Sequence, residues 1–588
     1  MYKAPLKELR FVMHQLVGDQ KLEGLPGFAD YSTDFADSVL EEAGRFAEEV
    51  LAPINRVGDT AGARWTPEGV VMPQEFKDAY ARFVEGGWPM LRASTRYGGQ
   101  GAPTILGTAI EELWAASNLS FKLCPMLSQG AVEAIERCAS EAQKQLYLPK
   151  MVTGEWTGTM VLTEPQAGSD LGAIRTRAVP DGNHFRIHGQ KIFITYGDHD
   201  YTPNTIHMVL ARIEGAPAGT KGISLFIVPK VLVNADGSLG ERNDMRCVSI
   251  EHKLGIHASP TCVLSFGDRA GAIGYLVGEP NRGLEYMFIM MNAARLSVGL
   301  EGYAMAERAF QQALAYARSR VQGRPGGKVG AQGKPLSIAY HPDVKRMLLT
   351  MKAYADAARA MAFYAALQLD LGQHHPDEAV RAAAQARGDL LIPVVKAWST
   401  EIGVAMASLG IQVHGGMGFI EETGAAQYLR DVRITTIYEG TTGIQAGDLA
   451  GRKIARDGGA AMSVLLTEMR AELASRQGDE GAAAALEAAH LLDQATQALL
   501  QYFKGNAERA LAASVPYLTL CGVAIGGWLM ARAGSLAAEH QSSDQEFHRG
   551  KQQIVRAYME QILPQAQSLA RIVISGSGSV VDADPELF

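Results

Sequence analysis

Cysteine is scarce and unpatterned in this chain. The five cysteines among 588 residues stand at 124, 138, 247, 262 and 521, an odd number with no CxxC spacing. That argues against a disulfide framework and a cysteine zinc site, and points to a reducing, cytoplasmic setting. An excess of one charge is also lacking: 55 basic side chains face 63 acidic ones, for a formal net charge of -8. With no dense Lys/Arg face, bulk electrostatic binding of nucleic acid is not expected, and any phosphate-bearing ligand must be held locally. The opening MYKAPLKELRFVMHQLVG has neither an apolar core region nor a small-residue cleavage site, so no signal peptide is expected. One long charge-free run, Ala510 to Ala531 between Arg509 and Arg532, is long enough to span a bilayer. Ser514, Pro516, Thr519, Gly522, Gly526 and Gly527 dilute it, so it reads as a buried core helix rather than a membrane contact. There is no internal repeat or extended low-complexity tract.

What is present is ample apolar material, 47% of the residues. At roughly 100 to 200 residues per domain, the length implies about three to five domains or sub-domains. In segment 35 to 51, Phe35, Val39, Leu40, Ala43, Phe46, Val50 and Leu51 recur at helical spacing, and Pro53 is expected to end the run. Helical text continues to about 155, interrupted by the loop TRYGGQGAP at 95 to 103. From about 156 come short β-branched and aromatic runs, HFRIHGQKIFIT, TIHMVLARI, GISLFIVPK, RCVSIEHK and CVLSF, with no helix between them. That pattern predicts an antiparallel β-domain rather than a βαβ nucleotide fold. Helix returns after about 286, and a final helical block contains the polar stretch SRQGDEG and ends near an SGSGS tail. The expected fold is α+β, divided as an extension (1–34), a helical domain (35–158), a middle β-domain (159–285), a helical bundle (286–455) and an additional helical domain (456–588).

Four motifs stand out, each compatible on its own with ordinary packing. MVLTEPQAGSDLGAIRT, from Met160 to Thr176, is a polar turn whose small residues let backbone approach a flat ligand. KIFITYG ends a strand with Phe193 and Thr195 on one face, a ring beside a hydroxyl. IQVHGGMGFIEE places Gly415, Gly416 and Gly418 after an apolar helix, where N–H groups can meet phosphate oxygens. RDVRITTIYEGTTGIQ sets Glu439 between Ile437, Tyr438 and Gly440, an apolar setting that raises a carboxyl pKa toward that of a working base.

In this order the four motifs resemble the acyl-CoA dehydrogenase family, across about residues 35 to 455. The longer chain is similar to the extended bacterial subgroup that includes methylthiopropionyl-CoA and long-chain acyl-CoA dehydrogenases. The resemblance implies bound FAD, with Leu162, Thr163, Gly168, Ser169, Phe193 and Thr195 around the flavin and Arg320 on the pyrophosphate. It further implies that Gln412, Gly415 and Gly416 reach the FAD of a neighbouring subunit, and that Thr441 and Gln445 make further cofactor contacts. Glu439 matches the catalytic base, while Ser169, Asn292, Arg295 and Gly440 match substrate contacts. In the family's Asp-x-x-Arg pair for coenzyme A, this chain has Asn292 in place of the aspartate. An alternative base position used by some relatives holds Ala294, which cannot take a proton. The phenylalanine-glycine pair usual after the pyrophosphate arginine is replaced by Gly323 and Arg324, ahead of a longer loop at 323 to 336.

The implied reaction is α,β-dehydrogenation of an acyl-CoA thioester to the trans-2-enoyl-CoA, as in fatty-acid β-oxidation, with electrons passed to an electron-transfer flavoprotein. An acyl-CoA oxidase using oxygen shares the same site, and a catalytically idle acyl-CoA or partner-binding scaffold is the alternative from another class. The implied assembly is a homo-oligomer, a homodimer if the block after 456 covers the face that a second dimer would use. His184 and His188 lie on one strand face without an evident third ligand, so no metal is assigned. The amphipathic run 482 to 503, with Leu486, His490, Leu491, Leu499, Leu500 and Phe503, reads as core or subunit interface.

Overall fold

The computed structural model describes every residue except Met1, Lys328, Ala331, Gln332, Gln477, Gln541, Ser542, Ser543 and Phe588. Three of these fall in the 323 to 336 loop and one in SRQGDEG, so those parts of the two segments lie outside the described residues. The chain forms two compact units, one of residues 1–44, 104–116 and 295–588, the other of 45–103 and 117–294. The units do not follow the contiguous segments read from the sequence, because the helix beginning at Thr104 joins the C-terminal helices.

The second unit is built on an eight-stranded sheet: β1 (Trp156–Val161), β2 (Arg177–Asp181), β3 (His184–Thr195), β4 (Asn204–Ile213), β5 (Ile223–Pro229), β6 (Met245–Ile250), β7 (Thr261–Phe266) and β8 (Ala272–Leu276). The spatial order is β6-β7-β3-β8-β5-β4-β1, with β2 beside β3 and β4. The expected antiparallel arrangement needs correction at one edge, where β1 runs parallel to β4 from Trp156↔Asn204 to Val161↔Val209. β2 also meets β4 in parallel. Parallel neighbours require a crossover, and here the crossover carries the LTEPQAGSD loop and β3. Helix Leu119–Cys138 packs on β1 at Gly158, where an added Cβ would come within 2.5 Å of the Ala131 Cβ.

The first unit is dominated by α1 (Gly283–Ser319, its first residues belonging to the other unit), α2 (Pro342–His374) and α3 (Glu378–His414). α1 and α3 touch backbone to backbone. A Cβ on Gly302 would lie 2.1 Å from the Ser399 carbonyl oxygen, and one on Gly299 2.8 Å from Val395. A buried ion cluster joins distant stretches of this unit. Arg359 pairs with Glu112 (2.6 Å), Asp356 (2.9 Å) and Glu307 (3.2 Å), while Lys551 bridges Glu8 (2.5 Å) and Asp356 (2.7 Å). Charges removed from water persist only when paired in this way.

Several local expectations change. Helical structure does not stop at Pro53. After Thr33–Phe46 the chain widens into a π-helical turn, Ala47–Leu51, and resumes as Ala52–Ala61 with the proline in its first turn, where a missing N–H is tolerated. The buried stripe there is Ala36, Leu40, Ala43, Ala47, Val50 and Leu51, whereas Phe35 is exposed. In α4 (Glu480–Gly505) the packed face is Ala482, Ala485, Ala489, Leu492, Thr496 and Leu499, and His490 faces solvent. α4 packs on α5 (Ala507–Glu539), and Leu486, Leu491, Leu500 and Phe503 are only half-buried. The SGSGS segment is not a tail, since Ser577–Val581 is helical and Ser577 is buried. Among the described residues, two stretches, Glu378–Phe419 and Ala507–Glu539, are long and apolar enough to cross a membrane, and 83% and 72% of their most apolar windows are buried.

Candidate active site

In the first unit, the segment after helix Ala425–Val432 tightens into a 3-10 turn, Arg433–Thr436, and reverses direction before helix Thr442–Gly447. Two successive residues with positive φ, Glu439 at 54° and Gly440 at 92°, make the reversal. A left-handed non-glycine residue is strained and persists only where its surroundings hold it. Here the holding bonds are visible: the Gln445 side-chain amide donates to the Glu439 carbonyl at 3.1 Å, and Lys396 Nζ donates to the Gly440 carbonyl at 2.7 Å and the Thr435 carbonyl at 2.8 Å. The Tyr438 hydroxyl donates to Glu301. Thr441 caps the next helix by accepting from the Ile444 N–H. Among the described residues, no backbone carbonyl accepts from the Glu439 N–H.

Burial pushes the Glu439 carboxyl up to about 7, against the opposing pull of Lys396 and Arg295, with Glu301 adding to the rise. A carboxylate titrating there is suited to taking a proton from a weak carbon acid at neutral pH. Arg295 is buried and paired with Asp448 at 3.1 Å, and its charge acts on Glu439. Asn292 is exposed.

In the second unit, the loop after β1 is moored to β3. Glu164 is buried, pairs with Lys191 at 2.9 Å, and accepts from the Arg175 N–H, the Thr176 N–H and the Thr176 hydroxyl. Lys191 Nζ donates to the Leu162 carbonyl at 2.7 Å, and the Ile192 N–H donates to the Thr163 carbonyl. Leu162 and Thr163 are thereby fixed beside β3, and Gly168 and Ser169 project as an exposed turn. β3 is not regular at its end. Its register with β7 shifts between Cys262↔Ile194 and Leu264↔Lys191, and Phe193 has a φ of 58°. The bulge leaves the Phe193 ring 59% exposed and Thr195 half-buried on either side of the buried Ile194. A large ring held out from a strained backbone is a platform for a planar partner.

The remaining expected contacts lie at one end of the helical unit. Arg320 follows the last turn of α1, exposed, and Gln412, Gly415 and Gly416 end α3, also exposed. Tyr316 stacks on His414 at 4.6 Å, joining the two helix ends. Added Cβ atoms at Gly415, Gly416 and Gly168 would meet nothing within 4 Å, so their backbones stand open to a ligand. Elsewhere, the His188 ring contacts the Gly267 carbonyl, and no described group of His, Cys, Asp or Glu is arranged to hold a metal ion.

Family models for the acyl-CoA dehydrogenase N-terminal, middle and C-terminal domains match residues 33–155, 159–269 and 281–454. A further one, acetyl-CoA dehydrogenase C-terminal like, matches 465–584. The chain is 46% identical, over 96% of its length and 96% of the relative's, to 3-methylmercaptopropionyl-CoA dehydrogenase of Ruegeria pomeroyi. The chain belongs to the acyl-CoA dehydrogenase family. The fold is shared with Caenorhabditis elegans ACDH-11 in complex with C11-CoA, at TM-score 0.76 and 20% identity, covering 98% of this chain and 96% of that one. It is shared too with an acyl-CoA dehydrogenase from Bacillus anthracis complexed with FAD, at TM-score 0.73 and 21% identity, covering 100% and 94%. For an acyl-CoA dehydrogenase, FAD is the expected cofactor. The second unit offers groups suited to it, an exposed ring at Phe193 and hydroxyls at Thr163, Ser169 and Thr195, and the first unit by itself offers an exposed cation at Arg320 and open glycine backbone at 415 and 416. Motif reading did not single out Lys396, Glu164 or Lys191 for a role. Lys396 carries a visible signal, one charge inside the apolar run LLIPVVKAW.

Proposed function

We propose that this acyl-CoA dehydrogenase removes the α-proton and β-hydride of an acyl-CoA thioester to give the trans-2-enoyl-CoA, and that an electron-transfer flavoprotein collects the electrons. The observation that carries this reading is Glu439, a carboxylate held in a strained turn and raised by burial to about 7. FAD, when bound, supplies the hydride acceptor. The chain's own residues do the rest. Glu439 takes the α-proton, and its backbone N–H is placed in the same turn to polarise the thioester oxygen as charge develops there. Gln445 and Lys396 keep the turn in shape by their bonds to its carbonyls. Leu162, Thr163, Ser169, Phe193 and Thr195 hold the flavin, Arg320 its pyrophosphate, and Gln412, Gly415 and Gly416 the cofactor of a second subunit in a homodimer. Ser169, Asn292, Arg295 and Gly440 serve the thioester and its coenzyme A, Arg295 from a buried position. The likeness to the Ruegeria enzyme supports a short acyl chain, with 3-methylmercaptopropionyl-CoA the first candidate.

The test is anaerobic bleaching of the purified flavoprotein across acyl-CoAs from short to long, 3-methylmercaptopropionyl-CoA included. Rapid bleaching followed by reoxidation with an electron-transfer flavoprotein supports the proposal. Binding without bleaching would make the chain a scaffold, and reoxidation by oxygen at catalytic rates would make it an oxidase.

A further inference from the structure

Lys396 lies in the interior of α3, three residues after Pro393, with its side chain fully buried. A buried ammonium is costly unless its surroundings use it. Its two hydrogen bonds run to the Thr435 and Gly440 carbonyls, at the two ends of the turn that contains Glu439. One cation thus spans the strained reversal.

Titratable groups reach the turn from several elements. α1 contributes Arg295 and Glu301, α3 contributes Lys396 and Glu401, and the turn itself carries Tyr438 and Glu439. They are engaged differently. Arg295 is paired with the Asp448 carboxylate, and Glu301 accepts from the Tyr438 hydroxyl, whereas the bonds of Lys396 go to neutral carbonyls. Its positive charge is therefore felt at the nearby Glu439 instead of being neutralised within those bonds.

We propose that Lys396 is the positioning residue of proton abstraction, clamping the turn that presents Glu439 and supplying the buried positive charge that favours its carboxylate form. The inference rests on Glu439 being the base. Burial alone drives Glu439 upward and Lys396 opposes it; burial likewise pulls Lys396 down to about 8, with Glu439 opposing. Each charge favours the ionised form of the other, against a burial that disfavours both.

The test compares the FAD-loaded parent with Lys396→Gln, which keeps a neutral donor, Lys396→Met, which keeps neither donor nor charge, and Lys396→Arg, which keeps the charge. Two pH titrations are read. One is the rate of anaerobic flavin bleaching by butyryl-CoA, or by whichever acyl-CoA bleaches the parent fastest. The other, without acyl-CoA, is the infrared carboxylic-acid band that Glu439→Gln lacks. In Lys396→Gln and Lys396→Met both midpoints should move alkaline by about one unit, with plateau rates about 10- to 100-fold lower in Lys396→Met. Lys396→Arg should move them by less than half as much. Midpoints of Lys396→Gln unchanged within about 0.3 unit would overturn the proposal, as would failure of all three variants to fold, which would assign Lys396 to the fold alone. If the parent is not bleached by any acyl-CoA, the functional reading fails instead; a bleached parent with unmoved variant midpoints sinks only this inference.

Discussion

Replacing Glu439 with glutamine removes the proposed proton acceptor and should leave the turn intact. The bonds that hold the reversal use the carbonyls of residues 435, 439 and 440, none of which the substitution touches. The N–H of residue 439 is retained as well, so acyl-CoA binding and thioester polarisation should persist. The neighbouring carboxylate Glu301 is tied to the Tyr438 hydroxyl, and the alternative base position holds Ala294, so neither replaces the lost group. Loss of a general base costs about 100- to 10,000-fold, and the upper end is expected because proton and hydride leave together. In the parent, a carboxyl raised to about 7 is deprotonated in about half the molecules at pH 7 and in about nine-tenths at pH 8. Because the deprotonated form is the active one, bleaching should rise about tenfold per pH unit below that midpoint and flatten above it. Anaerobic stopped-flow bleaching from pH 5.5 to 9 measures both effects, with binding followed separately by the ligand's perturbation of the flavin spectrum. A Glu439→Gln variant that binds substrate and bleaches within tenfold of the parent would refute the assignment of the base.

Three further outcomes are expected. Glu164→Gln strands the buried Lys191 and should cost about 3 to 5 kcal/mol, seen as a thermal midpoint several degrees lower; an unchanged midpoint would show that the pair does not moor the loop. Burial pushes Glu164 up, but Lys191 and the Thr176 and Arg175 donors outweigh it and hold the group at about 2, below its ordinary 4.5. Its stabilisation is therefore full above about 4.5 and lost as pH falls through about 2, an acid-side loss that the variant should lack. Gly522→Ala would place a Cβ 2.4 Å from the Trp398 ring, where α5 crosses α3, and should lower the thermal midpoint by an amount equivalent to about 1 to 3 kcal/mol; parental stability would contradict that close packing. Arg320→Ala should weaken FAD retention on dialysis by about 10- to 100-fold, the equivalent of a charge-assisted contact of about 1.5 to 3 kcal/mol, while chemistry per bound flavin changes little; parental retention would remove Arg320 from the cofactor site.

Much of the architecture was legible because it is local. The short β-branched and aromatic runs of β3, β4 and β5 and the long Ala-, Leu- and Met-rich helices follow from local composition and spacing, which act over a few residues. Glu439 stood out as a candidate by its flanking sequence, as did the glycines that end α3. Other features depend on residues brought together from far apart in the chain. β1 pairs parallel with β4 because the loop and β3 intervene as a crossover, and nothing within WTGTMV states that direction. Pro53 enters a helix because a wider turn precedes it, a balance between local propensity and packing that its own dipeptide does not reveal. The partners Glu8 and Lys551, or Glu112 and Arg359, carry no mark of their pairing in sequence, since only the folded chain removes both charges from water at one place. The same holds at Glu439. The sequence by itself determined that a carboxylate stands at 439; its left-handed backbone, its rise to about 7 and the lysine from α3 beneath it were decided by tertiary structure, because desolvation and the field of a buried cation exist only once these elements are packed.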